Sequence, residues 1–186
     1  MKKILSLFLV SLTFLTSFNA KAEENTMTDK KVLVAYFSAT GTTAGVAERL
    51  AKATGGDLFE IKPVEIYTDA DLNWRDKQSR SSVEMADKSS RPAIASKVED
   101  MSKYDVVFVG FPIWWYREPS IIDTFMESYD FSSKTVVPFA TSGGSGMGDS
   151  GKIMQSLAPQ AKVLSGKRFS SSVSEEELKK WAAEWL

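Results

Sequence analysis

Apolar and β-branched runs recur along the chain at 31–37, 57–62, 105–111, 134–140 and 161–165. The first, third and fourth are nearly continuous, the pattern of strands buried on both faces. Between and after the runs, apolar positions return at helical spacing over 43–54, 92–102, 119–128, 147–157 and 174–185. Strands that alternate with helices in this way predict an α/β domain, a doubly wound parallel sheet with helices on both faces. Ligands of such sheets settle in the crevice beyond the carboxyl ends of the strands, so the loops after the strands are where chemistry is expected. One stretch breaks the rhythm. Residues 63–91 are long, rich in serine and charge, and carry Tyr67, Trp74, Arg75, Arg80 and Arg91. They read either as a flap over a site or as a solvated loop with a short helix near 79–88.

The start of the chain has a different pattern. Lys2 and Lys3 precede an apolar stretch from Ile4 to Phe18 that ends in Ala20-Lys21-Ala22. This is the layout of a secretory signal peptide cleaved after Ala22, and the stretch is too short and too rich in serine and threonine for a membrane anchor. The expected organisation is a signal peptide over 1–22, a polar tether over 23–30 and one domain over 31–186. No membrane span is expected after cleavage, and the mature chain is expected to be periplasmic or extracellular.

Composition narrows the chemistry. The full chain has 23 basic and 24 acidic side chains, and loss of Lys2, Lys3 and Lys21 with the leader moves the net charge from −1 to −4. With no basic excess or Lys/Arg cluster, nucleic acid is not expected as a partner. There is no cysteine and no histidine. Disulfides, thiolate metal sites and Ser-His or Cys-His nucleophilic catalysis are therefore excluded, and any redox chemistry must be carried by a cofactor.

Three loops at strand ends are unusual. After the first strand, Ser38-Ala39-Thr40-Gly41-Thr42-Thr43 is small and hydroxylic, and lacks the lysine of a P-loop. Backbone N–H groups and the following helix N-terminus suit such a loop to a phosphate that is gripped and left unreacted; alternatively Thr42 or Thr43 simply caps the helix. After the third strand, Pro112-Ile113-Trp114-Trp115-Tyr116 places three large aromatics in a loop, where they either stack on a flat ligand or cover a core edge. After the fourth, Thr141-Ser142-Gly143-Gly144-Ser145-Gly146 allows close backbone approach to a planar ring. A phospho-receiver is disfavoured, because acidic residues are missing from the ends of strands one and three.

These three loops together resemble the flavodoxin family, in particular a branch with a proline-isoleucine-tryptophan-tryptophan loop and a Thr-Ser-Gly-Gly-Ser-Gly loop. The resemblance covers residues 30–186. It implies a flavodoxin-like three-layer sandwich with a five-stranded parallel sheet in the order 2-1-3-4-5, and FMN as cofactor. By match, Ser38, Thr40, Gly41, Thr42 and Thr43 hold the phosphate, Pro112, Ile113, Trp114, Trp115 and Tyr116 flank the isoalloxazine, and Thr141, Ser142, Gly143, Gly144, Ser145 and Gly146 contact its edge. The chain departs from many flavodoxins in having Tyr116-Arg117 where they place a glycine, and Thr42-Thr43 where they have asparagine-threonine. The implied function is electron transfer with redox partner proteins, with Glu118 and Asp149 as candidates to tune the flavin; the alternative is an NAD(P)H-dependent FMN-containing quinone or flavin reductase.

Overall fold

The computed structural model describes residues 30–186. The expected signal peptide and all but the last residue of the tether lie outside the described residues. The elements run β1 (Val32–Tyr36), α1 (Thr42–Thr54), β2 (Asp57–Glu60), α2 (Arg80–Ala86), a single 3₁₀ turn (Met101–Lys103), β3 (Val106–Pro112), α3 (Ser120–Glu127), β4 (Thr135–Thr141), α4 (Ser150–Leu157), β5 (Lys162–Val163), β6 (Lys167–Phe169) and α5 (Glu175–Ala182). All sheet pairs are parallel, as the alternating pattern predicts, and the order is β2-β1-β3-β4-β5, as the flavodoxin resemblance implies.

Successive side chains of a strand point to opposite faces, and the near-continuous apolar runs use both. On one face Leu33, Ala35, Phe37, Val107, Val109 and Phe111 pack with Ile121, Ile122, Phe125 and Met126 of α3 and Met154 of α4. On the other Val32, Val34, Val106, Phe108, Val137 and Phe139 pack with Val46, Ala47 and Leu50 of α1 and Leu178 and Trp181 of α5. Helix α5 starts where its chemistry dictates: Ser174 accepts from the Glu177 N–H at 3.1 Å, with Glu175, Glu176 and Glu177 in the first turn and lysines in the last. Within the sheet, Gly110 of β3 is required by its neighbour, since a Cβ there would lie 2.2 Å from the Phe139 ring.

Two expectations are corrected. The helix predicted over 92–102 does not form, and only the 3₁₀ turn at its end does. Its start is tied down as extended chain: Val64 N–H donates to Ala93 O at 2.9 Å and Ala95 N–H to Lys62 O at 2.8 Å, around a Pro63–Ile94 bridge. The helix of this region is α2, in the stretch where a short one near 79–88 was the alternative. The fifth strand is also divided, with β5 pairing Thr135 and Val136 and β6 pairing Phe139 to Thr141 along the same side of β4.

Candidate functional site

The ends of β1, β3 and β4 converge, and each delivers one loop to the same edge of the sheet. Phe37 leaves β1 with its N–H on Gly110 O at 2.9 Å, and the chain turns through Ser38–Thr40 into α1. Gly41 is the N-cap, with φ +83° and no side chain capping the helix, so Thr42 and Thr43 are helical residues and not the cap. The first N–H groups of a helix have no partner within it, and here no side chain takes their place. Thr40 and Thr42 are exposed beside them, their hydroxyls 3.4 Å apart. Ser38 Oγ is buried and has no hydrogen-bond partner.

The β4 loop meets this one. Thr43 Oγ1 and Thr141 Oγ1 are hydrogen-bonded at 2.9 Å, both residues buried, so the hydroxyl of Thr43 faces β4. Ser142 Oγ accepts from the Gly144 N–H at 3.1 Å. A Cβ at Gly143, Gly144 or Gly146 would meet nothing within 4 Å, so the backbone there is open to a ligand.

Between them lies the aromatic loop. Trp114 and Arg117 exchange backbone hydrogen bonds of 2.9 and 3.0 Å, closing a two-residue turn. Both central residues have positive φ, Trp115 at 44° and Tyr116 at 67°, the signature of a type I′ turn that glycine and asparagine normally occupy. The turn separates the roles of its aromatics. Trp114 points inward, edge-on to Phe37 at 5.6 Å and to Tyr67 at 5.3 Å, the packing role open to one of the tryptophans. Trp115 and Tyr116 are 44 % and 76 % exposed. The turn is seated on Gly148, where a Cβ would lie 1.8 Å from Tyr116 O and where φ is +54°.

The stretch 63–91 closes one side. Leu72, Trp74 and Ser81 face Ile113, Trp114, Trp115, Tyr116 and Ser145 across a cleft of about 370 Å³. Tyr67 is held by Glu84 through its hydroxyl and by Arg80, whose guanidinium lies 4.0 Å over the ring. Burial and Glu84 raise the Tyr67 phenol well above its usual range, so it stays protonated. Beyond the turn lies a second cleft, of about 410 Å³, lined among others by Arg91, Arg117, Asp123 and Asp149. Glu118 is buried behind the turn, and burial pushes its carboxyl up to about 7 against the opposing pull of Arg117. Among the described residues no group of carboxylates is spaced to hold a metal ion.

The family profile described as Flavodoxin matches residues 31–185. The chain belongs to the flavodoxin family. A comparison with curated proteins gives no significant match. Among solved structures the chain is similar to a candidate flavoprotein from Bacteroides eggerthii, with 51 % identity, a TM-score of 0.79, and coverage of 83 % of this chain and 97 % of that one. A candidate flavoprotein from Bacteroides uniformis is similar at 50 % identity and a TM-score of 0.78, with coverage of 83 % and 98 %. A flavoprotein from Lactobacillus acidophilus, solved in complex with FMN, shares the fold at 24 % identity and a TM-score of 0.60, with coverage of 82 % and 99 %.

As a flavodoxin-family site, the three loops fit a phosphate joined to a flat ring. The uncapped start of α1 and the unpartnered Ser38 hydroxyl offer donors without positive side chains. The open glycines and the aromatic cleft offer a flat, mostly apolar slot beside them. The sequence singled out Trp74 in a stretch that reads either as a flap or as a solvated loop, and did not single out Leu72 and Ser81 on the same wall. It also missed Gly148 as the seat of the turn, for which the run of glycines over 143–151 was the available signal.

Proposed function

We propose that this protein binds FMN in the crevice formed by the loops after β1, β3 and β4 and works as an electron-transfer flavoprotein. The observation that carries the reading is the uncapped N-terminus of α1, with Ser38 Oγ buried and unpartnered beside it, at the same sheet edge as the aromatic cleft. Ser38, Thr40, Gly41, Thr42 and the N–H groups of the first helical turn would hold the phosphate, and the positive end of the helix dipole balances its charge. Thr43 would act from beneath, by fixing the helix start to β4 through Thr141. Ile113, Trp115 and Tyr116 would flank the ring, and the Ser142–Gly146 backbone would meet its polar edge. FMN, when bound, supplies the ability to take up and release electrons. The chain's own part is to hold the ring against the turn, exclude water with Trp74 and Trp114, and leave an edge near the surface for electron exchange. The fold neighbour solved with FMN is in keeping with this cofactor.

The partners follow from charge. A mature chain with net charge −4 would dock on basic redox proteins, steered by long-range attraction. The leader-like pattern over 1–22 supports an exchange outside the cytoplasm, in the periplasm or beyond.

A second reading, an NAD(P)H-dependent FMN-containing quinone or flavin reductase, is favoured by one observation. Trp114 packs edge-on against Phe37 and Tyr67 at the wall of the cleft, so a small acceptor could enter between Trp74 and the turn. The test is visible absorption of residues 23–186 with added FMN, followed by NADH and NADPH. Flavin bands with quenched fluorescence support FMN binding, and rapid bleaching by either nicotinamide selects the reductase. A protein that leaves FMN spectroscopically unchanged overturns both readings.

A further inference from the structure

Behind the Trp115–Tyr116 turn the chain buries more carboxyl groups than it pairs. Arg117 Nη2 donates to Glu118 Oε1 at 2.9 Å and also to Asp123 Oδ2, so two carboxyl groups meet at one nitrogen. Glu118 is 0 % and Asp123 2 % exposed. Their second oxygens, Glu118 Oε2 and Asp123 Oδ1, are both buried and receive no hydrogen bond. Two orphan acceptors carry a large desolvation cost, and because the Glu118 carboxyl lies within hydrogen-bonding reach of Asp123, a single proton relieves it by turning one carboxyl into a donor for the other.

The charges around the pair give the same count. Arg91 lies 3.8 Å from Asp123 Oδ2 and is itself held by both oxygens of Glu127 at 2.7 and 2.8 Å. Two guanidinium groups therefore face three carboxyl groups, and one retained proton makes the cluster neutral. From α4, the Ser150 hydroxyl sits beside Glu118, near enough to favour its anion but without a full hydrogen bond. Asp149 is turned outward to Lys152 at 3.3 Å. From α2, the Glu84 carboxylate is taken by Arg80, and only its backbone carbonyl reaches α3, through Ser120 Oγ at 3.2 Å. Lys88 and Tyr116 stand exposed on the rim of the second cleft.

We infer that Glu118 and Asp123 share one proton and that this acid–carboxylate pair, acting through Arg117, is the brace that holds the Trp115–Tyr116 turn in its positive-φ form. Arg117 is the last residue of that turn, with its backbone on Trp114 and its guanidinium on the pair. Burial raises both carboxyl groups, with Arg117 opposing, and they titrate as a unit. Loss of the shared proton leaves an uncompensated buried charge directly behind the turn, which loosens it and opens the aromatic wall. Glu118 and Asp123 are thus positioning residues, and the pH sensitivity belongs to the ligand-free chain as well as to any flavin complex.

The test needs no flavin at first. Tryptophan fluorescence of the purified chain is followed between about pH 5.5 and about pH 8.5, with Glu118→Gln and Asp123→Asn alongside. A reversible transition near neutrality in the wild type, absent from whichever variants fold, is expected. In ¹³C spectra of the wild type, the pair should still hold a proton at about pH 6. A transition retained in the folded variants, or carboxyl signals showing both groups ionised at that pH, overturns the proposal. A second arm rests on the FMN reading: wild-type affinity for FMN should fall roughly tenfold across the range while Glu118→Gln keeps the acid-side value. A fluorescence transition in a chain that binds no FMN at any pH supports the pair and overturns the FMN reading instead.

Discussion

Thr43 Oγ1 and Thr141 Oγ1 form a buried hydrogen bond of 2.9 Å that joins the first turn of α1 to the end of β4, bypassing β3, which lies between β1 and β4 in the sheet. The bond fixes the distance between the loop after β1 and the glycine loop. Thr43→Val keeps the volume and leaves the Thr141 hydroxyl buried without a partner, at a cost of about 1–3 kcal/mol. Thr141→Val has the mirror effect. The double variant should recover most of the stability, because neither orphan remains, and should still bind FMN more weakly than the wild type. Urea denaturation of the four proteins and FMN titration check both parts.

Ser38→Ala should separate stability from binding. Its hydroxyl is buried and unpartnered in the free chain, so removing it leaves stability unchanged or improved. The same change removes a donor from the proposed phosphate loop and should weaken FMN binding by about 1–3 kcal/mol. Thr40→Val and Thr42→Val should weaken binding by a similar amount. FMN affinity unchanged from the wild type in all three would mean that the phosphate lies elsewhere.

Gly148→Ala tests the seat of the aromatic turn. The added methyl would meet Tyr116 O at 1.8 Å in a backbone conformation with φ +54°, so the turn must shift. A stability loss of about 1–3 kcal/mol and a changed near-UV signal from the exposed aromatics are expected. Gly110→Ala, which strikes the Phe139 ring inside the sheet, should be worse for folding while leaving the turn's own signal in the folded fraction unchanged.

Stability should depend on pH in a direction opposite to that of most carboxylates. Glu118 is raised from 4.5 to about 7 in the folded chain, so the folded state holds its proton more tightly than the unfolded one. The contribution is fully present below about pH 4.5 and is lost as pH climbs through about 7. It amounts to about 3 kcal/mol. Glu118→Gln should flatten this decline in urea midpoints. The hydroxyl-bonded Asp71, Asp87, Asp100 and Asp130 are held below their usual range, so their contributions are lost only on the acid side.

The parts of the fold that could be read from the sequence were those whose burial is set by their own residues. The apolar runs of β1, β3 and β4 need two covered faces wherever they sit, and the small, glycine-rich and aromatic loops mark their ends. The segment 92–102 was misread because its helical spacing was overridden by pairing with Lys62 and Val64, a contact about thirty residues away. The division of β5 from β6 depends on how the edge chain meets β4, which no local pattern records. At the site, Ser38 to Thr43 and Thr141 to Gly146 lie on the expected edge, while the different orientations of Trp114 and Trp115 follow from the type I′ turn and not from residue type. The pairing of Arg117 with Glu118 and Asp123 was invisible, since a charge in a sequence says nothing of what its neighbours fail to satisfy.

Tyr67 is wedged against Trp114 at 5.3 Å and against Phe37 at 5.7 Å, and is roofed by Arg80. Because Tyr67 belongs to the 63–91 stretch while Trp114 belongs to the turn, the two walls of the cleft share an aromatic joint. The stretch cannot lift away from the domain without withdrawing the ring that steadies Trp114, so any opening of the cleft on that side also softens its opposite wall.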